Sequence, residues 1–386
     1  MRIGLNLLHA RPAIGGVWNY MENVLKALSA IEDDCCFLAY CTPDSAALVP
    51  DDNRFKIRMR KKQFPHPLAR ILYEQTILPL RALRDGADCL HWFANNVSFS
   101  GAVPSVVTVH DYMFLDRPAD MNLLKRVYLR RMAEMVSWRA ASLAAISGTT
   151  ARVIQHHFGV PDDRITIIST PIDTGRFHPA EPREAAEFRA RIGLPERFWV
   201  YVAHTYPHKN HARLLEAYCA LRRQGGEVWP LVLRGDDPGD GYDLKSAIAE
   251  MGLSDSVRWL PRLTFDEMRL LYASASALIF PSLYEGCGLP VLEAMACGCP
   301  VAASDIPTTQ EFIGEAALTF DPLSVDAIAN AMREFAFDEE RRRECAARGL
   351  ERVKLYSSGI VARNLMGVYR SVAAAGKPAK SRGPQK

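Results

Sequence analysis

Phe280-Pro-Ser-Leu-Tyr-Glu-Gly-Cys-Gly-Leu-Pro-Val-Leu-Glu-Ala-Met-Ala296 is the stretch that decides how this chain is read. An apolar strand, Ala277 to Phe280, runs into a turn, and a helix is expected from about Pro290. Proline suits the first helical position because its missing N–H is not needed there. Gly286 and Gly288 let the backbone come close to a ligand. The amides of the helix start, from Gly286 through Cys287 and Gly288 to Leu289, favour negative charge. Two carboxylates, Glu285 and Glu293, stand eight residues apart and are good acceptors for hydroxyls. A ligand carrying both phosphate and hydroxyl groups, such as a nucleotide sugar, meets both demands. A strand–turn–helix with two incidental glutamates is the bland alternative, and the E-x7-E spacing alone does not exclude it.

The rest of the chain bounds the answer. A length of 386 residues suits two α/β domains better than one core. Apolar content of 48% with 24% charge is ordinary for a soluble globular protein. A net charge of +3 gives no reason to expect a nucleic-acid partner. No apolar run reaches the length of a membrane span, and the chain opens on a strand, Arg2 to Leu8, where a secretory signal would be a long apolar stretch. The nine cysteines lack a zinc-like spacing, since Cys35-Cys36 are adjacent and Cys297-Gly-Cys299 has one intervening residue. Reduced thiols in the cytoplasm, most of them small core residues, are the expectation.

Short β-rich runs alternate with amphipathic helices, which indicates parallel sheets with crossover helices. Strands are expected at Ile3–Leu8, Cys36–Tyr40, Cys89–Trp92, Ser105–Val109, Leu143–Ile146 and Ile165–Ile168. After a connection from about Thr170 to Pro195 come Phe198–Ala203, Pro230–Arg234, Val257–Leu260, Ala277–Phe280, Pro300–Ala303 and Ala317–Phe320. The simplest architecture is two Rossmann-like α/β domains, 1–175 and 176–358, with a cleft between them. A helix over 359–375 follows, and then a disordered basic tail over 376–386. Ligands of such sheets sit at the carboxyl ends of strands.

Several candidate residues occupy such ends. Gly15-Gly16 opens the first helix, a position that holds phosphates or simply makes a turn. His110-Asp111 closes the buried strand from Ser105. Ser147 or Thr149 caps a helix after another strand, with a ligand contact as the alternative. In the second half, His204, His208, Lys209 and Asn210 follow the strand from Phe198. Arg234 ends the next strand, either free for a ligand or paired with Asp236 or Asp237. That aspartate pair precedes Pro238 and Gly239, so a turn explains it better than a metal site. Arg54, Lys56, Arg58, Arg60, Lys61 and Lys62 form a run of six cations with interleaved apolar residues. A solvated edge strand and a surface for anionic lipid, joined by Arg70, Arg81 and Arg84, are the two readings of it.

The passage from Glu285 to Val301 resembles the signature of retaining GT-B glycosyltransferases of family 4, the group 1 transferases. The resemblance continues in His110, Asp111, Phe114, Leu115 and Pro118 and in the Pro207-His-Lys-Asn210 turn. It implies a metal-independent transfer of a sugar from a nucleotide diphosphate donor to a hydroxyl acceptor, with retention and no cofactor. It implies that Gly15, Gly16, Lys209 and the amides of Gly286 to Leu289 face the donor, that Glu293 binds the ribose and that Glu285 holds the sugar. It also implies that His110 contacts the transferred sugar, which makes His110, Glu285 and Lys209 the expected catalytic set. The arginine the family often carries before its lysine is replaced by His204, with Arg234 as a candidate substitute. The texture is closest to bacterial mannosyl- or rhamnosyltransferases of surface polysaccharide synthesis. GDP-mannose is therefore the first donor and a UDP-sugar the second. The implied acceptor is a glycan or lipid-linked glycan, met at the inner face of the cytoplasmic membrane. The final helix should cross back to the first domain. A nucleotide-sugar epimerase or phosphorylase relative on the same scaffold, and a non-catalytic nucleotide-sugar-binding protein, are the rivals.

Overall fold

A computed structural model of the protein describes residues 1–10, 15–118, 121–225, 228–237, 239 and 241–376. The expected tail beyond Gly376 and the loop residues 11–14 lie outside the described residues, as does Pro238. The chain divides into two compact units, Met1–Pro171 with Ser358–Lys386, and Ile172–Ser357.

In the first unit the strands are β1 (Arg2–Asn6), β2 (Cys36–Tyr40), β3 (Phe55–Ile57), β4 (Cys89–Trp92), β5 (Ser105–Val109), β6 (Ser142–Ala145) and β7 (Ile165–Ile167). Between them run α1 (Gly15–Ser29), α2 (Pro67–Arg84), α3 (Met113–Asp116), α4 (Leu123–Arg139) and α5 (Gly148–Phe158). All neighbouring strands pair in parallel, in the order β3-β2-β1-β4-β5-β6-β7. β5 reads Ser-Val-Val-Thr-Val and is buried throughout, as a strand covered on both faces requires. The run of cations contains β3, which is the edge strand of this sheet.

The second unit holds α6 (Pro182–Ile192), β8 (Trp199–Val202), α7 (His211–Gln224), β9 (Leu231–Arg234), α8 (Leu244–Glu250), β10 (Val257–Leu260) and α9 (Phe265–Ser274). It continues with β11 (Ala277–Phe280), α10 (Leu289–Ala296), β12 (Val301–Ser304), α11 (Pro307–Ile313), β13 (Leu318–Phe320), α12 (Val325–Phe337) and α13 (Glu339–Val353). The parallel order is β10-β9-β8-β11-β12-β13. Trp199, Tyr201, Tyr218, Tyr272 and Phe280 are all fully buried in one core. Each such side chain contributes about 1.5–3 kcal/mol by leaving water. The final helix, α14 (Ser358–Ala375), belongs to the first unit, where it packs on α1 and reaches β4, β5 and β6.

Strand order reverses between β1 and β4 in the first sheet and between β8 and β11 in the second. At such a reversal the crossover helices leave to opposite faces and open a crevice beyond the carboxyl ends of the two central strands. Lys209 follows β8 and Glu285 follows β11, so the topology alone brings them to one crevice.

Candidate functional site

In the second unit the turn after β8 is tied to the turn after β11. Asn210 is left-handed at φ 62, the single such non-glycine residue among the described residues. Asparagine tolerates this region because its short amide can bond locally. Its Nδ2 donates to the carbonyls of Pro281 at 3.0 Å and Pro322 at 2.8 Å. The Tyr201 hydroxyl donates to the Lys209 carbonyl at 2.6 Å and lies 3.2 Å from Ser282 Oγ. The Leu283 amide donates to the His208 carbonyl at 2.8 Å. So held, Lys209 Nζ donates to Glu285 Oε1 at 2.7 Å. The two side chains are 19% and 8% exposed. A charge-assisted bond in such surroundings is stronger than a neutral one.

Helix α10 starts at Leu289, one residue before the expected Pro290, which takes the second position. Gly288 precedes it at φ 55, where a side chain would be strained. Gly288 has no side chain to cap the helix; Pro290 has no N–H and the Val291 amide donates to the Gly288 carbonyl at 2.9 Å, so the Leu289 amide is the first-turn donor that faces another acceptor. Cys287 is half-buried beside them. Glu293 accepts from the Tyr272 hydroxyl at 3.0 Å. Burial pushes the Glu293 carboxyl up to about 7, against the Tyr272 hydrogen bond and the Arg176 charge. Tyr272 sits on α9, with no sequence spacing to link it to Glu293, and sequence reading misses it.

Beyond β9, the Arg234 side chain is 11% exposed and reaches Asp236 Oδ1 only at 3.5 Å. Its Nε is buried with no hydrogen-bond partner. His204 Nδ1 lies 3.1 Å from the Asp236 amide, which donates to it, and 3.3 Å from the Asp236 carbonyl, so the ring is anchored to the turn after β9. Asp237 accepts from Thr205 Oγ1 at 3.2 Å and from the Gly239 amide at 2.8 Å, in keeping with a turn. A Cβ on Gly235 would sit 1.7 Å from the Ala203 carbonyl, so only glycine fits this crossing. Among the described residues no group of three or more His, Cys, Asp or Glu side chains could hold a metal ion.

In the first unit His110 lies just beyond β5. Its amide donates to Asn95 Oδ1 at 2.9 Å, and Asn95 Nδ2 donates to the Asp111 carbonyl at 2.7 Å. His110 Nε2 lies 2.7 Å from the Phe93 carbonyl, which can only accept, so Nε2 carries the proton. Burial lowers the His110 pKa, opposed by the Phe93 bond and the Asp111 charge. Nδ1 is left with its lone pair. Ser147 caps α5 by accepting from the Thr150 amide at 3.1 Å, as the capping reading of this turn expects, and it is Ser147 rather than Thr149 that holds the N-cap position. A Cβ on Gly16, in the first turn of α1, would meet open space.

Sequence reading also misses a buried polar group around Glu74. Its carboxylate accepts from Asn6 Nδ2 at 3.0 Å and lies 3.6 Å from Arg70, and burial raises its pKa. Nearby in sequence to β1, His9 has a buried Nε2 without a partner, and burial pushes its pKa down to about 3. The arginines of the cation run are engaged in the fold, while Lys56, Lys61 and Lys62 are exposed. Arg54 binds Asp52 and the carbonyls of Leu28, Ser29 and Ile31, and Arg58 pairs with Asp85. Arg81 donates to the Tyr73 hydroxyl. Beside the exposed Lys56, Lys61, Lys62 and Arg84, the region exposes apolar side chains, namely Leu68, Leu72, Ile77, Leu80 and Leu83 along α2.

Residues 14–176 match the model of Glycosyltransferase Family 4, and residues 182–352 match that of Glycosyl transferases group 1. The chain is 30% identical over 278 residues to O-antigen chain mannosyltransferase B of Escherichia coli, covering 72% of each. Sucrose-phosphate synthase from Thermosynechococcus elongatus superposes with a TM-score of 0.75 at 21% identity, over 97% of this chain and 100% of that one. Anabaena HepE, in complex with UDP and glucose, does so with a TM-score of 0.73 at 17% identity, over 96% and 100%. The α/β units share the GT-B fold of these structures, and the chain belongs to the group 1, family 4 glycosyltransferases.

Proposed function

We propose that this glycosyltransferase moves a mannosyl group from GDP-mannose to a hydroxyl of a glycan or lipid-linked glycan in bacterial surface polysaccharide synthesis. The mannosyltransferase named above supports the sugar and the process. The observation that carries the reading is the Lys209–Glu285 pair at 2.7 Å, set beside the uncapped start of α10 and the carboxyl of Glu293. A departing diphosphate needs positive charge where negative charge develops. Lys209, the amides of Gly286 to Leu289 and Arg234 supply it from this chain's own groups, without a metal. Glu285 holds the sugar hydroxyls, Glu293 the ribose, and His110 contacts the transferred sugar. Transfer proceeds with retention, the leaving phosphate helping to deprotonate the acceptor.

The experiment is a donor screen. GDP and GDP-mannose should raise the melting temperature, and GDP-mannose with a lipid-linked or glycan acceptor should give a mannosylated product. A UDP-sugar is the second donor to test. Protection by neither nucleotide series would overturn the reading. Product release in the absence of any acceptor would point to an epimerase.

We further propose that the enzyme works peripherally at the inner face of the cytoplasmic membrane. Among the described residues no helix is long and apolar enough to cross a membrane. The exposed leucines of α2, with Lys61, Lys62 and Arg84 exposed nearby in sequence, form the surface for anionic lipid.

A further inference from the structure

A line of buried polar side chains runs through the first unit beneath His110. Tyr369, on α14, has its hydroxyl 2.6 Å from His91 Nδ1. His91 Nε2 is 2.8 Å from Thr108 Oγ1. Thr108 Oγ1 is 3.2 Å from the Tyr20 hydroxyl on α1. The Tyr20 ring meets the His110 ring edge-on, with centroids 4.8 Å apart and an 84° angle between planes. A second connection returns through Phe93. The His91 ring packs against the Phe93 ring at 4.0 Å, and the Phe93 carbonyl is the acceptor for His110 Nε2.

His91, Thr108, Tyr20 and Tyr369 are all within 2% of complete burial. Centres of parallel sheets are ordinarily filled by apolar side chains, which need no partners. Four polar groups there cost desolvation unless every one is satisfied. Burial also pushes the His91 pKa down to about 3, so the ring is neutral and has one donor and one acceptor nitrogen. If Nδ1 accepts from Tyr369, Nε2 donates to Thr108, whose proton is then free for Tyr20. The reverse assignment turns every bond round. Either way the hydroxyls and imidazole are ordered as one unit, and no member can rotate alone.

We propose that Tyr20, His91, Thr108 and Tyr369 are positioning residues for His110, fixing its ring plane through Tyr20 and its protonated nitrogen through Phe93. The proposal rests on the reading of His110 as a contact of the transferred sugar. It adds that the chain's last helix takes part in setting that contact, through a side chain distant in sequence from the site.

Thr108 offers the decisive comparison. Thr108→Val keeps the shape and deletes the hydroxyl, whereas Thr108→Ser keeps the hydroxyl and deletes a methyl. In the full chain, Thr108→Val and Tyr369→Phe should each lower kcat about tenfold, the scale of one buried hydrogen bond. Donor KM should stay within about twofold of the unmodified enzyme, and Thr108→Ser should restore most of kcat. In ring-15N-histidine-labelled protein, the His110 signal, identified by its loss in His110→Gln, should show a protonated Nε2. That signature should become mixed in Thr108→Val. In a His110→Gln background Thr108→Val should cost little more. If Thr108→Ser is as poor as Thr108→Val, if the His110 signature is unchanged, or if the losses multiply in the double variant, the positioning role is wrong. If His110→Gln itself turns over normally, the sugar-contact reading fails instead, and the nitrogen signature still decides whether the line positions His110.

Discussion

Lys209 Nζ and Glu285 Oε1 hold one another at 2.7 Å, although one belongs to the turn after β8 and the other to the turn after β11. The two groups suit different parts of a nucleotide sugar, the cation its diphosphate and the carboxylate its sugar hydroxyls. In the free protein each neutralises the other, so neither waits in a buried site as an unpaired charge. On the proposed donor site, a donor must share or break this bond, and its binding energy then includes that exchange.

The pair should therefore behave as one unit in turnover. Lys209→Met and Glu285→Gln should each cost roughly 1.5–3 kcal/mol in kcat/KM. The double variant should lose less than the two added together, with a coupling of about 0.5–3 kcal/mol. A double-mutant cycle on donor turnover measures it, and strict additivity would show that the contact does not survive into catalysis.

Glu293 makes the protein sensitive to pH in a defined direction. Its carboxyl is raised from 4.5 to about 7, so between those values the folded state binds more protons than the unfolded one. Stability should fall as pH rises through this window, by on the order of 3 kcal/mol, and level off above it. Glu293→Gln should flatten the curve of melting temperature against pH and be at least as stable as the parent at pH 8. Ribose hydroxyls that donate to the carboxylate favour its charged form. GDP affinity should accordingly climb through pH 7 in the parent and be flat in Glu293→Gln, as titration calorimetry would show.

Much of this architecture is legible in the chain. The runs Cys36–Tyr40, Cys89–Trp92, Ser105–Val109, Val257–Leu260 and Ala277–Phe280 read as strands and are strands over those same residues. Four of them are short, mostly apolar runs bounded by turns, and burial on both faces preserves that signal, while the edge strand Val257–Leu260 alternates buried and exposed positions only in part. Strand order is not legible, because pairing is decided by contacts between segments far apart in sequence. For the same reason Tyr272 goes unseen as the partner of Glu293, and the Tyr201 and Asn210 bonds that bring Lys209 to Glu285 go unseen as well. In the cation run, composition counts charge but not its partners. Arg54 resembles a surface cation in sequence and acts as a clamp on the end of α1 in the fold.

Arg234 carries the next expectation. Its long contact to Asp236 and its partnerless Nε leave most of its hydrogen-bonding capacity unused in the free protein. Arg234→Gln should hardly alter the melting temperature. It should weaken GDP binding by about one to two decades, the worth of a charge-assisted bond, and GMP binding by much less. Equal losses for both nucleotides would place Arg234 away from the terminal phosphate.

The membrane surface can be separated from the fold by comparing residues of the same region. Leu72→Glu with Leu80→Glu on α2 should abolish flotation with phosphatidylglycerol vesicles and leave the melting temperature unchanged. Lys61→Ala with Lys62→Ala should weaken it and make the remainder less sensitive to salt. Arg54→Ala should instead destabilise the protein by roughly 1.5–3 kcal/mol, since its bonds to Asp52 and the α1 carbonyls are lost. Flotation that survives the leucine changes would exclude α2 as the contact.

Gly288 tests where the sugar sits. At φ 55 an alanine costs roughly 1–2 kcal/mol from its backbone alone. Its added Cβ would meet nothing within 4 Å, so no packing clash adds to this in the free protein. Any further penalty must come from the ligand that occupies this open space. Gly288→Ala should therefore fold with a modest fall in melting temperature, yet raise donor KM about tenfold, more than backbone strain shared by free and bound enzyme can explain. The loss should be larger for the nucleotide sugar than for the nucleoside diphosphate alone, because the Glu285 side of the turn is assigned to the sugar. A variant with parental donor KM would mean that the glycine serves the turn only, and that the sugar lies elsewhere.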